Sequence, residues 1–238
     1  MRNDAAFFSQ EYWGKIHSDE VGAHSISIFG FENVSSSNAA KTSFSAALHG
    51  TIWGFAQSGS AEIDGRGQKW NVSAGQWFCA VADGELKVRL TGDQTRLFGV
   101  FNGAHVGLPS MGGPVEKTGR LRYIDGCTDT ILYSPPLKGD PCLNLLHFPS
   151  IVDQTQHFHP SSRCGIVSSG HGLCVFENEE IELVSGQIFY LPKDLRHKFR
   201  TGPTDVLDVI SFHPDSDWGP THEVHPMINR TWIDSKST

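Results

Sequence analysis

The sequence predicts an all-β chain made of two tandem β-barrels. Three observations carry this reading. Apolar runs are short and bounded by turn residues, with 25 Gly and 12 Pro in 238 residues, the pattern of many short strands. No long amphipathic helix runs through the body of either half. A Gly-punctuated segment near the middle of the first half returns near the middle of the second.

In chain order, "AAFFSQEYWGKI" near the N-terminus reads as a short helix. "SGSAEIDGRGQKWNVSAGQWF", from Ser58, reads as a strand, a tight Gly turn, a second strand, and a Gly turn into a third strand. "LKVRLTG" and "RLFGVF" follow as strands of five to eight residues. "PSMGGPVEKTGR" carries the linker, which divides the chain into 1–120 and 121–238. Beyond it, "LNLLHF", "GIVSSG" and "DVLDVISF" read as strands. "SGHGLCVFENEEIELVSGQIF", from Ser169, repeats the first-half segment. Gly59 to Gly75 spans 16 residues, as does Gly170 to Gly186, and the two pairs are offset by 111. The tail "FHPDSDWGPTHEVHPMINRTWI", with His213, His222 and His225, reads as an ordered surface arm.

Composition narrows the function classes. Hydrophobic content of 38% and charged content of 19% describe a globular chain. A net charge of −7 argues against nucleic acid or an anionic membrane surface as partner. No apolar run approaches the ~18 residues of a membrane span, and the N-terminus lacks a signal-type apolar run. Five cysteines, an odd number without a CxxC pair, argue against a disulfide framework and for a cytoplasmic location. The expected partner is a small-molecule substrate, with a homodimer as a further expectation.

The chemistry concentrates in the second half. His157 and His159 share strand parity, so both imidazoles can enter a barrel. Arg163 shares that parity. His197 follows a Gly186 turn and a Pro192 loop, and converges with the pair if its strand lies beside theirs. Three neutral imidazoles suit one divalent transition metal such as Zn, Fe, Ni or Cu.

These residues resemble the paired motifs of the cupin superfamily. His157-Phe-His159, three residues, Arg163, six residues and Gly170 follow the spacing of the first motif. Gly186, five residues, Pro192-Lys-Asp194, two residues and His197 follow that of the second. Arg163 stands where the family has Glu, Asp194 where it has Gly, and Thr201 where it has Asn. The resemblance implies two jelly-roll-like cupin barrels, a bicupin. It also implies a three-His metal centre in the C-terminal barrel, of the kind some dioxygenases of the family use with iron, so that Fe is the favoured metal, with Zn, Ni or Mn as alternatives. Shifting back by 111 residues places Ala46, Leu48, Ile52 and Leu86 at the positions of His157, His159, Arg163 and His197. The first barrel is therefore expected to hold no metal there but a packed or small apolar interior near Trp53, Trp70 and Trp77.

Arg163 either binds an anionic substrate beside the metal or pairs with an acid such as Glu182 or Asp208. Tyr190 is expected to be a pocket hydroxyl and proton donor, and Gln154 a neutral oxygen near the histidines. Cys164 is expected to face away from the site. His171 belongs to the barrel mouth or surface, and His147 joins the histidines only if the intervening chain is regular. The function expected is a non-heme metal-dependent dioxygenase acting on a small anionic or aromatic substrate. The alternatives are a metal-dependent isomerase or lyase of a small carbonyl compound, and a non-catalytic small-molecule sensor.

Overall fold

The computed structural model describes residues 4–9, 11–20, 25–33, 42–135 and 137–215. Among them are seventeen strands and a 3₁₀ turn at Ile124–Gly126, in a jelly-roll arrangement of two sheets. The eight-stranded sheet runs β2-β3-β8-β4-β7-β5-β6, with β9 (Ser110–Gly112) on β7. The nine-stranded sheet runs β1-β15-β13-β17-β12-β11-β10, with β14 (Glu180–Val184) and β16 (Lys198–Arg200) on β13; β10 is Leu121–Arg122 and β11 Thr128–Tyr133. The order β2-β3-β8-β4-β7 of the first sheet is matched by β11-β12-β17-β13-β15 in the second.

In the first sheet the long strands are β4 (Ser43–Ser58) and β7 (Trp77–Leu90), flanked by β3 (Ile26–Glu32), β5 (Ser60–Gly65), β6 (Gln68–Ser73) and β8 (Arg96–Asn102). In the second, β12 (Cys142–Phe148), β13 (Arg163–Val175), β15 (Ile188–Leu191) and β17 (Leu207–His213) surround the candidate site. Several strands exceed the expected five to eight residues. β13 is 13 residues long because it serves two pairs of partners in succession: its first part pairs with β15 and β17, and its second with β14 and β16.

Period-two alternation divides the core into three layers. In β13, Cys164 and Ile166 join a central cluster between the sheets, with Trp53, Phe55, Phe98, Ile188, Tyr190, Ile210 and Phe212. The alternate residues Val167, Phe189, Leu191, Leu207 and Val209 form the interior of the second half. Ile52, Ala56, Phe78 and Leu86 pack inside the first half.

The Gly repeat extends to hydrogen bonds. Gly75 N donates to Ala56 O at 2.8 Å, and Gly186 N to Val167 O at 2.8 Å. Ala56 N donates to Gln76 O and Val167 N to Gln187 O, each at 2.9 Å. The side chains follow suit: Gln76 Oε1 accepts from Ser73 N at 2.8 Å, and Gln187 Oε1 from Val184 N at 3.3 Å. Each pair is related by 111 residues. Gly59, Gly75, Gly170 and Gly186 all take positive φ, between 66° and 88°, where a Cβ is strained.

Two expectations are corrected. "AAFFSQEYWGKI" is not helical. It supplies β1 (Ala6–Phe8) and the start of β2 (Trp13–Asp19). β1 pairs with β15, so Phe7 reaches the second-half core and Phe8 the central layer. Of the three tryptophans, Trp70 alone packs on the first-half interior, while Trp53 and Trp77 belong to the central layer. Ile52 and Leu86 lie in that interior, and Leu48 packs against it. Cys79, Cys127, Cys142, Cys164 and Cys174 are buried, and none forms a disulfide with another described residue. No described helix is long and apolar enough to cross a membrane.

Candidate metal centre

His157 and His197 form an isolated antiparallel bridge. Each backbone N–H donates to the other's carbonyl, at 3.0 and 2.9 Å. This pairing sets their rings side by side, with centroids 4.9 Å apart. His159, two residues along on the same face, lies 5.1 Å from His157 and 5.3 Å from His197. One ligand atom of each falls within 4.8 Å of the others.

The ring nitrogens are oriented for a metal. His157 Nδ1 lies 2.8 Å from Thr155 O, and His197 Nδ1 lies 2.9 Å from Leu195 O. A carbonyl can only accept, so each Nδ1 carries the proton and leaves Nε2 with a free lone pair. Such a bond from the far nitrogen is the usual means of fixing a ligating imidazole. Burial, then the Arg163 charge and the other two imidazoles, pushes His159 down to about 3. Burial chiefly pushes His197 down to about 4. Both are therefore neutral near pH 7, as metal ligation requires. On donor type, tautomer and spacing, the three residues fit one divalent transition metal. No other such group of His, Cys, Asp or Glu occurs among the described residues.

The two departures near His197 have structural reasons. Asp194 has φ of 61° and its N–H donates to His159 O at 2.8 Å, tying the loop to the first histidine pair. Asp tolerates that left-handed conformation better than most residues. Thr201 is buried, with its hydroxyl donating to Pro149 O at 2.5 Å and accepting from Val152 N at 3.0 Å.

Arg163 lines the same cavity as the histidines. Its Nη1 donates to Ser162 O at 2.9 Å and to Ser161 Oγ at 2.5 Å, and lies 3.8 Å from Asp215 Oδ1. Ser161 Oγ itself donates to Asp215. The acid beside Arg163 is thus Asp215. Glu182 pairs with His171 at 2.8 Å, and Asp208 with His147 at 2.6 Å. His147 and His171 stay outside the cavity. Gln154 lines it, but its Oε1 accepts from Phe199 N at 3.1 Å. Cys164 faces away from the histidines, into the central layer.

Tyr190 is not brought to the site. On β15 the cavity takes Phe189 and Leu191, while Tyr190 points into the central layer. Its hydroxyl donates to Asp19 Oδ2 at 2.8 Å and its ring packs on His17 at 4.2 Å. One step of strand parity separates it from the expected role.

Four polar residues of the cavity were not singled out as site residues: Tyr123, Asp129, Ser211 and His213. His213 ends β17 rather than belonging to a surface arm, and its ring lies 6.5 Å from that of His159. Burial, then Arg163 and His159, holds it well below the usual histidine range. His222 and His225 lie outside the described residues. Asp129 accepts from Asn144 Nδ2 at 2.9 and 3.2 Å, and burial raises its carboxyl above the usual range. The remaining walls include Leu146, Phe148, Phe189, Leu191 and Phe199, around a cavity of about 40 Å³.

Comparison with known proteins bears on the fold that carries these residues. Residues 149–213, which hold all three histidines, match a family model described as "Cupin domain". The fold is a jelly-roll cupin fold. A cupin 2 conserved barrel domain protein from Leptotrichia buccalis is similar, with 14% identity, TM-score 0.55 and 89% of each chain covered. Salicylate 1,2-dioxygenase from Pseudaminobacter salicylatoxidans is similar over 80% of this chain and 70% of that one, at 11% identity and TM-score 0.57. Bacillus subtilis oxalate decarboxylase, described with Mn(II) centers, is similar over 82% and 70%, at 10% identity and TM-score 0.52. A search of curated proteins found no match.

Proposed function

We propose that the chain is a bicupin metalloenzyme, with tandem barrels over 1–120 and 121–238 and one metal held by His157, His159 and His197. The repeated strand order, the recurrence of the Gly-Gln hydrogen bonds after 111 residues and similarity over 89% of a cupin barrel protein support the tandem reading. β1 then reaches from the first half onto the sheet of the second.

The reaction favoured is oxygen chemistry on a small anionic substrate, with iron favoured as the metal. The carrying observation is the presence of Arg163 and the histidine triad in one cavity. A divalent metal there would supply Lewis acidity and open coordination positions. Arg163 supplies a fixed positive charge with planar donors, which orients a carboxylate. The Phe148, Phe189 and Phe199 walls keep bulk water from the reacting atoms. Similarity to a salicylate dioxygenase adds weight to this reading at the level of fold alone.

A redox-neutral reaction has one specific observation in its favour. Asp129 is the cavity's carboxyl, half-buried and doubly held by Asn144, and can hold or release a proton at Oδ. Oxygen uptake by anaerobically iron-loaded protein, screened over small carboxylic acids, decides between these readings. Uptake that depends on substrate and is lost in Arg163→Met supports the oxygenase. Product formed without oxygen uptake and lost in Asp129→Asn supports the redox-neutral enzyme.

A further inference from the structure

His213 is a cavity residue whose position the metal reading leaves unused. It shares its strand face with Ser211, and both line the cavity, while Phe212 and Ile210 point into the central layer. Its ring is 6.5 Å from His159, and it is not among the three clustered donors. Its backbone belongs to the β12–β17 ladder, opposite Cys142, and its ring makes no side-chain hydrogen bond to the described residues. An imidazole always carries at least one N–H donor or one lone pair facing outward from each nitrogen. His213 therefore offers a polar atom to whatever fills the space between Arg163 and the triad.

That space is small. A cavity that accepts a benzene ring is on the order of 150 Å³, against about 40 Å³ here. The walls limiting it are packed aromatic and leucine side chains of the second-half interior, Phe148, Phe189, Phe199 and Leu191. Packed interiors resist enlargement.

Resting on the proposed metal site, we propose that this cavity is specific for short aliphatic carboxylates. His213 hydrogen-bonds the carboxylate oxygen, Arg163 balances its charge, and the apolar walls exclude aromatic acids. His213 acts as a specificity residue and not as a metal ligand.

The test uses the full chain loaded with Co(II), whose visible bands report ligands entering the metal's surroundings. Acetate and benzoate are titrated into wild type, His213→Phe and His213→Gln, with thermal unfolding as a check of folding. All three proteins are expected to take up one Co(II). Acetate should shift the wild-type bands, with a midpoint raised about tenfold or more in His213→Phe and largely restored in His213→Gln. Benzoate should leave the bands unchanged. Equal acetate midpoints in wild type and His213→Phe, or benzoate binding as tightly as acetate, overturn the inference while leaving the metal site intact. Failure to bind Co(II) at all overturns the metal reading and this inference with it.

Discussion

At the scale of single residues, the three histidines were legible because spacing alone brings them together. His157 and His159 lie outside the named strands, yet alternate residues still bring both rings to one place, and His197 needed one bridge, which the structure supplies at His157. Tyr190 was misplaced for a physical reason. "IFYL" is buried on both faces, so no polar alternation marks which side enters the cavity. His213 was missed because it sits at a strand end, where its sequence neighbours look like the start of a tail. The depressed histidines make a pH prediction. His159 and His197 are neutral when folded but titrate near 6.5 when unfolded. Between those limits the unfolded chain binds more protons, so metal-free protein is fully stabilised above about 6.5 and loses stability as pH falls toward 4. Denaturant unfolding of chelator-treated protein should show this slope, and His197→Phe should flatten it. An unchanged slope in that variant would place the acid sensitivity elsewhere.

At the scale of elements, the Gly repeat was the most informative sequence feature. Equal 16-residue spacing corresponds to the same turn, closed by a Gly N–H and a Gln side chain in each half. Strand lengths were less legible. β13 passes through Gly170 and changes partners there, and no residue pattern announces that a strand will pair twice. Two Gly→Ala substitutions separate conformation from crowding. A Cβ at Gly67 meets nothing within 4 Å, so Gly67→Ala should cost only the left-handed penalty, about 1–2 kcal/mol. At Gly170 the added Cβ would lie 1.8 Å from Val206 O, so backbone must move. Gly170→Ala should be clearly the more destabilising of the two by denaturant unfolding. Similar losses would mean that the β13–β17 junction adjusts freely.

At the scale of the whole molecule, the central layer joins the two halves. Trp53, Phe55 and Phe98 from one sheet meet Cys164, Ile188 and Phe212 from the other. Polar ties reinforce the contact: Tyr12 donates to Gly186 O at 2.9 Å, and Gln57 Nε2 donates to Ser185 Oγ at 3.0 Å. The chain end adds β1, which covers the free edge of β15, next but one to β17. This part was not legible in the sequence, because "AAFFSQ" is too short to show a period and pairs with residues some 180 positions away. Phe8→Ala removes packing from the central layer and should lower the melting temperature by several degrees without splitting the transition. Two separate transitions in wild type would show that the halves unfold independently and that the central layer couples them weakly.

The metal site is the claim on which the functional account stands, and metal content tests it most directly. Elemental analysis of untagged protein and of His157→Ala, with thermal unfolding to confirm that both are folded, is the decisive measurement. The account predicts one transition-metal ion per wild-type chain and loss of most of it in the variant. Full occupancy in folded His157→Ala, or two equal sites per wild-type chain, would contradict it.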